Sequence, residues 1–105
     1  MATNDTRIRH RWTEVSGVEI FYREAGDPEA SAIVLLPGHP SGAHAYNGLT
    51  ERLAAGWHVI APDYPGYGFS AAPADAPWTF DWLAEITGGL LEQLGLNRYA
   101  LYMFD

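Results

Sequence analysis

The sequence predicts an α/β domain in which an antiparallel β-hairpin leads into a parallel sheet flanked by two helices. Three observations predict it. Strand-like runs lie on both sides of Ser16-Gly17, a two-residue hairpin turn. Ala32 to Leu36 and Trp57 to Ala61 are short continuous apolar runs, the pattern of strands buried on both faces. Between and after them come amphipathic stretches with helical spacing, as a right-handed βαβ unit requires.

Taken in order, the hairpin runs from Ile8 to Glu24, and Trp12, Val15, Val18, Ile20, Phe21 and Tyr22 give it aromatic and β-branched character. Gly26-Asp27-Pro28 ends it. A helix is expected from about His44 to Ala54, with Tyr46, Leu49 and Leu53 on one face, Glu51 and Arg52 on the other, and Gly56 as its terminating glycine. Pro62 to Pro77 holds four prolines and is read as loop. Thr79 or Asp81 then caps a helix to about Leu94, in which Phe80, Leu83, Ile86, Leu90, Leu91 and Leu94 share a stripe and Gly95 ends it. Gly88-Gly89 inside it should cost ~1 kcal/mol each relative to Ala, so close packing against a neighbouring backbone is expected there. Tyr99 to Phe104 is the last strand. Residues 1–105 read as a single domain, with residues 1–7 a flexible N-terminus.

Composition narrows the function. Thirteen acidic residues face six basic ones, all arginine, for a net charge of −7. Such a chain has no electrostatic reason to bind nucleic acid or an anionic membrane. Cysteine is absent, which removes disulfides and thiolate chemistry. No apolar run is long enough to span a bilayer and the N-terminus lacks an apolar leader core, so a cytoplasmic protein is expected.

Three segments carry chemistry. LLPGHP (Leu35 to Pro40) follows a strand; Gly38 allows a sharp turn, and the amide of His39 can be aimed at a developing negative charge whatever its side chain. DYPGYGFS (Asp63 to Ser70) follows the next strand. There Asp63 can accept hydrogen bonds from loop amides, and Gly66 and Gly68 permit close backbone approach. Gly66-x-Gly68-x-x-Ala71 also matches a dinucleotide-binding loop in form, but that motif needs a helix starting at the glycines, and Pro73 and Pro77 deny it one. The third segment, LGLNRYALYMFD, ends a helix and a strand at Asp105.

Together these segments, from about residue 18 onward, resemble the N-terminal part of the α/β-hydrolase fold family, closest to its haloalkane dehalogenase and epoxide hydrolase branch. The resemblance implies a strand order of 1-2-4-3-5, with the remaining strands and the cap domain missing. It implies that Asp105 is the nucleophile, that the His39 backbone N–H is an oxyanion donor, and that Gly38, Pro40, Asp63, Gly66, Gly68 and Ser70 form supporting loops. Pro37 departs from the pattern, which usually has His there. Met103 departs from the serine esterases, which usually have Gly two residues before the nucleophile. Phe69 and Trp78 are candidate substrate walls because they flank the loop.

The implied reaction opens an epoxide or carbon–halogen bond of a small apolar substrate through an alkyl-enzyme ester, with no cofactor and no metal. The alternatives are a serine-type esterase relative, or a non-catalytic chain serving as a binding or assembly module. The general-base His and charge-relay acid of the family fall outside this sequence, so the 105 residues taken alone are expected to be inactive. His10 and His58 sit on expected strands and read as packed or half-exposed rather than catalytic; His39 and His44 lack an acidic cluster for a metal. The last strand's unpaired edge makes self-association an expectation as well.

Overall fold

The computed structural model describes residues 6–38 and 43–103. Five strands form one sheet: β1 (Arg9–Val15), β2 (Val18–Ala25), β3 (Ala32–Leu36), β4 (His58–Pro62) and β5 (Tyr99–Met103), in the order β1-β2-β4-β3-β5. The two helices are α1 (Asn47–Leu53) and α2 (Phe80–Gln93). Among the described residues, no helix is long and apolar enough to cross a membrane.

β1 and β2 are antiparallel, with Val15 opposite Val18 and Arg9 opposite Glu24. Ser16 and Gly17 both take positive φ, 48° and 83°, as the tight turns that match strand twist require. β2 pairs antiparallel with β4; β3 then pairs parallel with β4 on one side and β5 on the other. Both parallel connections carry a helix, as sequence spacing predicts. All of β4 is buried, whereas every residue of β5 is exposed at the sheet edge.

Alternation divides the apolar side chains between two faces. Val15, Val18, Ile20, Tyr22, Val34 and Ile60 pack with Ile86, Leu90 and Leu91 of α2. On the other face Ala25, Leu35, Val59 and Ala61 pack with Tyr46 and Ala54, with Leu49 and Leu53 of α1 against them. Burying a side chain of this size contributes about 1.5–3 kcal/mol, so these two layers hold the sheet between its helices.

Local chemistry explains the helix ends. Thr79 is extended, and its hydroxyl accepts the Trp82 amide at 3.1 Å, capping α2. At the other end the Leu96 amide reaches Leu91 C=O and the Gly95 amide reaches Glu92 C=O, both near 3.0 Å, which is a Schellman closure. The first helix differs from expectation. Ala43–Tyr46 is a 3-10 turn and α1 begins only at Asn47, because Tyr46 at the cap position makes no side-chain capping bond. Instead the Tyr46 hydroxyl donates to Leu36 C=O at 2.7 Å, tying this turn to the tip of β3. Gly56 does not close the helix in a left-handed conformation either; Ala54 ends it in right-handed geometry, and the amides of Gly56 and Trp57 both reach Leu53 C=O. Within α2, a Cβ on Gly89 would lie 2.9 Å from Val15 Cγ1, a side chain rather than the neighbouring backbone expected, and Gly88 faces open space.

Candidate functional site

The strand ends that point the same way gather Leu36–Gly38 after β3, the loop after β4, the start of α2 and Met103 of β5. The loop is built around Asp63, which is 1% exposed. Its Oδ2 accepts the Phe69 amide at 3.0 Å, and its backbone oxygen accepts the Ser70 hydroxyl at 2.9 Å. Ser70 Oγ in turn accepts the Phe21 amide at 2.9 Å, and the Asp63 amide donates to Phe21 C=O. β2, the end of β4 and the loop are thereby joined in one closed set of bonds. Buried Arg23 approaches from β2, its Nη1 3.9 Å from Asp63 Oδ1 and its guanidinium 4.9 Å from the Phe21 ring centre. That separation gives charge compensation without a hydrogen bond. Gly68, at φ 52°, lies so close that a Cβ there would sit 2.1 Å from Asp63 Oδ2.

Gly66 serves a different neighbour. A Cβ on it would meet the Trp78 ring at 2.5 Å, so the indole lies directly over the Gly66 backbone. Trp78 also stands edge-on to Trp82, ring centres 5.7 Å apart at 77°. No helix begins at the glycines; the chain stays in turns until Phe80, so a pyrophosphate has no helix N-terminus to meet here.

The two candidate wall residues part company. Phe69 packs edge-on against Phe21, centres 5.2 Å apart, beside Trp12, on the face of β2 opposite α2. Trp78 instead lines a groove of about 1000 Å³ between α2 and β5. Leu36, Pro37 and Gly38 border it at the β3 tip, Tyr64 and Tyr67 from the loop, Leu83 and Leu91 from α2, and Leu101 and Met103 from β5. Burial raises the Tyr64 phenol above its ordinary value, with the nearby Tyr46 and Tyr67 adding to the shift, so it stays a neutral donor. His39, Pro40 and Asp105 lie outside the described residues; the described chain reaches Gly38 on one side of the site and Met103 on the other.

The histidines play other parts. His10 is exposed and meets the Phe21 ring edge-on at 5.5 Å, and His44 is exposed on the 3-10 turn. His58 is buried, its Nε2 2.6 Å from Glu24 Oε2, while Arg11 Nε donates to Glu24 Oε1 at 2.7 Å. Among the described residues, no group of three His, Cys, Asp or Glu is arranged to hold a metal ion. The Arg11–Glu24–His58 set sits at the start of β4, away from the groove, and was not legible in the sequence. The bond from His58 is the main reason the Glu24 carboxyl is lowered from 4.5 to about 2; partial burial opposes it and Arg11 assists.

Because the folded value lies below the unfolded one, this stabilisation is complete above pH 4.5 and is lost as pH falls toward 2. Glu24→Gln should cost about 1–2 kcal/mol at neutral pH, allowing for solvent screening, and should flatten the loss of stability in acid. Urea unfolding at neutral pH and near pH 3 checks this; an acid dependence equal to that of the parent chain would contradict it.

Comparison with known proteins agrees with this architecture. Residues 31–103 match the alpha/beta hydrolase fold family. The chain is 36% identical over 95 residues to a haloalkane dehalogenase of Psychrobacter cryohalolentis, covering 89% of this chain and 31% of that protein. It is 37% identical over 90 residues to epoxide hydrolase A of Mycobacterium tuberculosis, covering 84% of this chain and 28% of that one. The crystal structure of the haloalkane dehalogenase DbeA from Bradyrhizobium elkani superposes with a TM-score of 0.88 at 30% identity, over 92% of this chain and 32% of the other. The chain thus spans about a third of the length of these relatives. With the strand order, the Asp63-centred loop and a family match over most of its length all in agreement, the chain belongs to the α/β-hydrolase fold family.

Proposed function

We propose that this chain contributes the nucleophile and one oxyanion arm of a hydrolase that opens an epoxide or carbon–halogen bond in a small apolar molecule. The observation that carries the proposal is the groove's position: it runs to Met103 at the tip of β5, two residues before Asp105, and to Gly38 beside His39. In this reading an Asp105 carboxylate oxygen attacks the substrate carbon. A carbon–oxygen bond forms as the halide leaves, or as the epoxide ring opens to an alkoxide that takes up a proton. Water then attacks the carbonyl of the resulting ester, whose oxyanion the His39 amide stabilises, and releases an alcohol with the carboxylate restored. A base to activate that water would come from the part of the relatives' length that this chain does not span.

The names of the relatives, dehalogenase and epoxide hydrolase, support an Asp-based reaction over a serine esterase, and the sequence carries Asp rather than Ser two residues after Met103, the last residue of β5. The test is covalent trapping. In a chain of the relatives' full length, incubation with a slow haloalkane or epoxide should add the alkyl mass to the peptide holding Asp105. Multiple turnovers with no adduct under rapid quench would exclude the ester route.

A further inference from the structure

We infer that Tyr46 is a positioning residue for the proposed reaction: it anchors the β3 tip, from which the chain reaches His39, and sets that tip against β5, which leads to Asp105. The catalytic meaning of this anchor rests on the hydrolase reading above; the anchor itself does not.

The ladder between β3 and β5 runs out at the pair Leu36 and Met103. The next residue, Pro37, has no N–H with which to extend it. At that point the Tyr46 hydroxyl donates to Leu36 C=O at 2.7 Å. Only Pro37 and Gly38 separate the bonded residue from His39. The proline ring fixes its own φ and confines Leu36 before it to extended geometry, so the freedom in this link is concentrated in Gly38. A displacement of the Leu36 carbonyl is therefore passed on to the His39 amide.

The same side chain meets β5. Tyr46 stands edge-on to Tyr102, ring centres 5.8 Å apart at 83°. Tyr102 lies opposite Leu35 in the ladder, one residue before Met103. One phenol thus reaches both strands three residues short of His39 on one and of Asp105 on the other, the two groups the reaction must keep in register.

Packing alone does not account for a tyrosine at this position. The side chain is 8% exposed and packs in a layer with Ala25, Leu35, Val59 and Ala61, a space that phenylalanine would also fill. Position 46 is also the N-cap of α1, where Ser, Thr, Asp or Asn would bond a helix amide, and Tyr46 makes no such bond. What tyrosine adds over phenylalanine is the hydroxyl, and the hydroxyl bonds the strand tip rather than the helix.

Tyr46→Phe keeps the ring against Tyr102 and removes the bond to Leu36. The His39 amide acts on the oxyanion of the ester, so the step affected is ester hydrolysis rather than attack by Asp105. In a chain of the relatives' full length, hydrolysis of the ester should slow about 10- to 100-fold, the range that a displacement of about 1 Å produces. The alkyl adduct on the Asp105 peptide should accumulate above the parent's level under rapid quench. Because alkylation comes first and is spared, kcat and KM should fall together and kcat/KM should stay within about threefold. The melting temperature should stay within about 5 °C of the parent's. In the 105-residue chain, hydrogen exchange at the Gly38 and His39 amides should quicken about tenfold, the effect of one lost hydrogen bond, while Leu90 and Leu91 in α2 keep the parent's rates.

An adduct level and an ester-hydrolysis rate equal to the parent's would overturn the inference. So would a kcat/KM that falls as far as kcat while the melting temperature drops by more than about 5 °C, the signature of a purely structural residue. If the full-length parent shows no turnover yet Tyr46→Phe quickens exchange at Gly38 and His39 alone, the hydrolase reading fails and the anchor stands. If the parent turns over and neither exchange nor adduct changes in Tyr46→Phe, the reading stands and the anchor falls.

Discussion

Asp105→Ala, in a chain of the relatives' full length, is expected to lower turnover of haloalkanes and epoxides by at least about a thousandfold while leaving the melting temperature within a few degrees. Removing a nucleophile eliminates the covalent route outright; comparable losses elsewhere reach roughly a millionfold. Two features favour an intact fold. The strand that leads to Asp105 is held by its parallel ladder with β3, from Ala32 opposite Tyr99 to Leu36 opposite Met103, and the described apolar layer with α2 is built from side chains of β1, β2, β3, β4 and α2. Binding of an uncharged ligand should survive, since the groove's described walls are Leu36, Tyr64, Tyr67, Trp78 and their neighbours. Undiminished turnover in Asp105→Ala would remove the assignment, and a collapsed melting temperature would make Asp105 structural instead.

Gly68→Ala is expected to be the most destabilising single methyl addition in the loop, at about 3–5 kcal/mol. Two terms combine. Alanine at φ 52° carries roughly 1–2 kcal/mol of backbone strain. Its Cβ would also lie 2.1 Å from Asp63 Oδ2, which is an overlap rather than a contact. The carboxylate must then swing away from the Phe69 amide, and breaking a hydrogen bond to a buried charged group costs about 1.5–3 kcal/mol. Such a movement would also disturb the compensation of Arg23, which is buried with it. Chemical denaturation of the parent and variant chains measures the difference. A loss under about 1 kcal/mol would mean that Asp63 has room to move and that the loop is not locked by it.

The sequence made the topology legible because each signal was local. Ser16-Gly17 marks a turn whatever surrounds it, Thr79 caps the helix three residues away, and Gly95 ends that helix by bonding back along it. The strand order came from the resemblance rather than from any one residue. Loop chemistry was half legible: Asp63 as an acceptor of loop amides was readable, but its bond partner Phe69 and the Ser70–Phe21 link depend on how β2 and β4 align.

What the sequence hid was set by register. Glu24 lies opposite Ile60, so His58, two residues back on the same face, comes within bonding distance although 34 residues away. Phe69 and Trp78 looked equivalent as aromatics flanking a proline-rich loop. They separate only when the loop wraps the sheet, with one ring on Phe21 and the other over Gly66. Trp78's left-handed backbone had no composition cue, since a local reading would reserve that conformation for the glycines nearby.

The interleaved sheet order sets a sequence of events in time. The β1–β2 hairpin closes through a two-residue turn and can form on the microsecond scale by itself. Its inner edge, however, has no partner until β4 arrives, and the Phe21–Ser70 bond that seals the junction spans 49 residues. Chain-closure entropy must be met before those contacts return anything, so the β2–β4 junction is expected to form after the local hairpin. Until then β2 presents an open ladder of amides and carbonyls, so the nascent chain is most vulnerable to wrong pairing between the moment its hairpin forms and the moment the Asp63 loop closes over it.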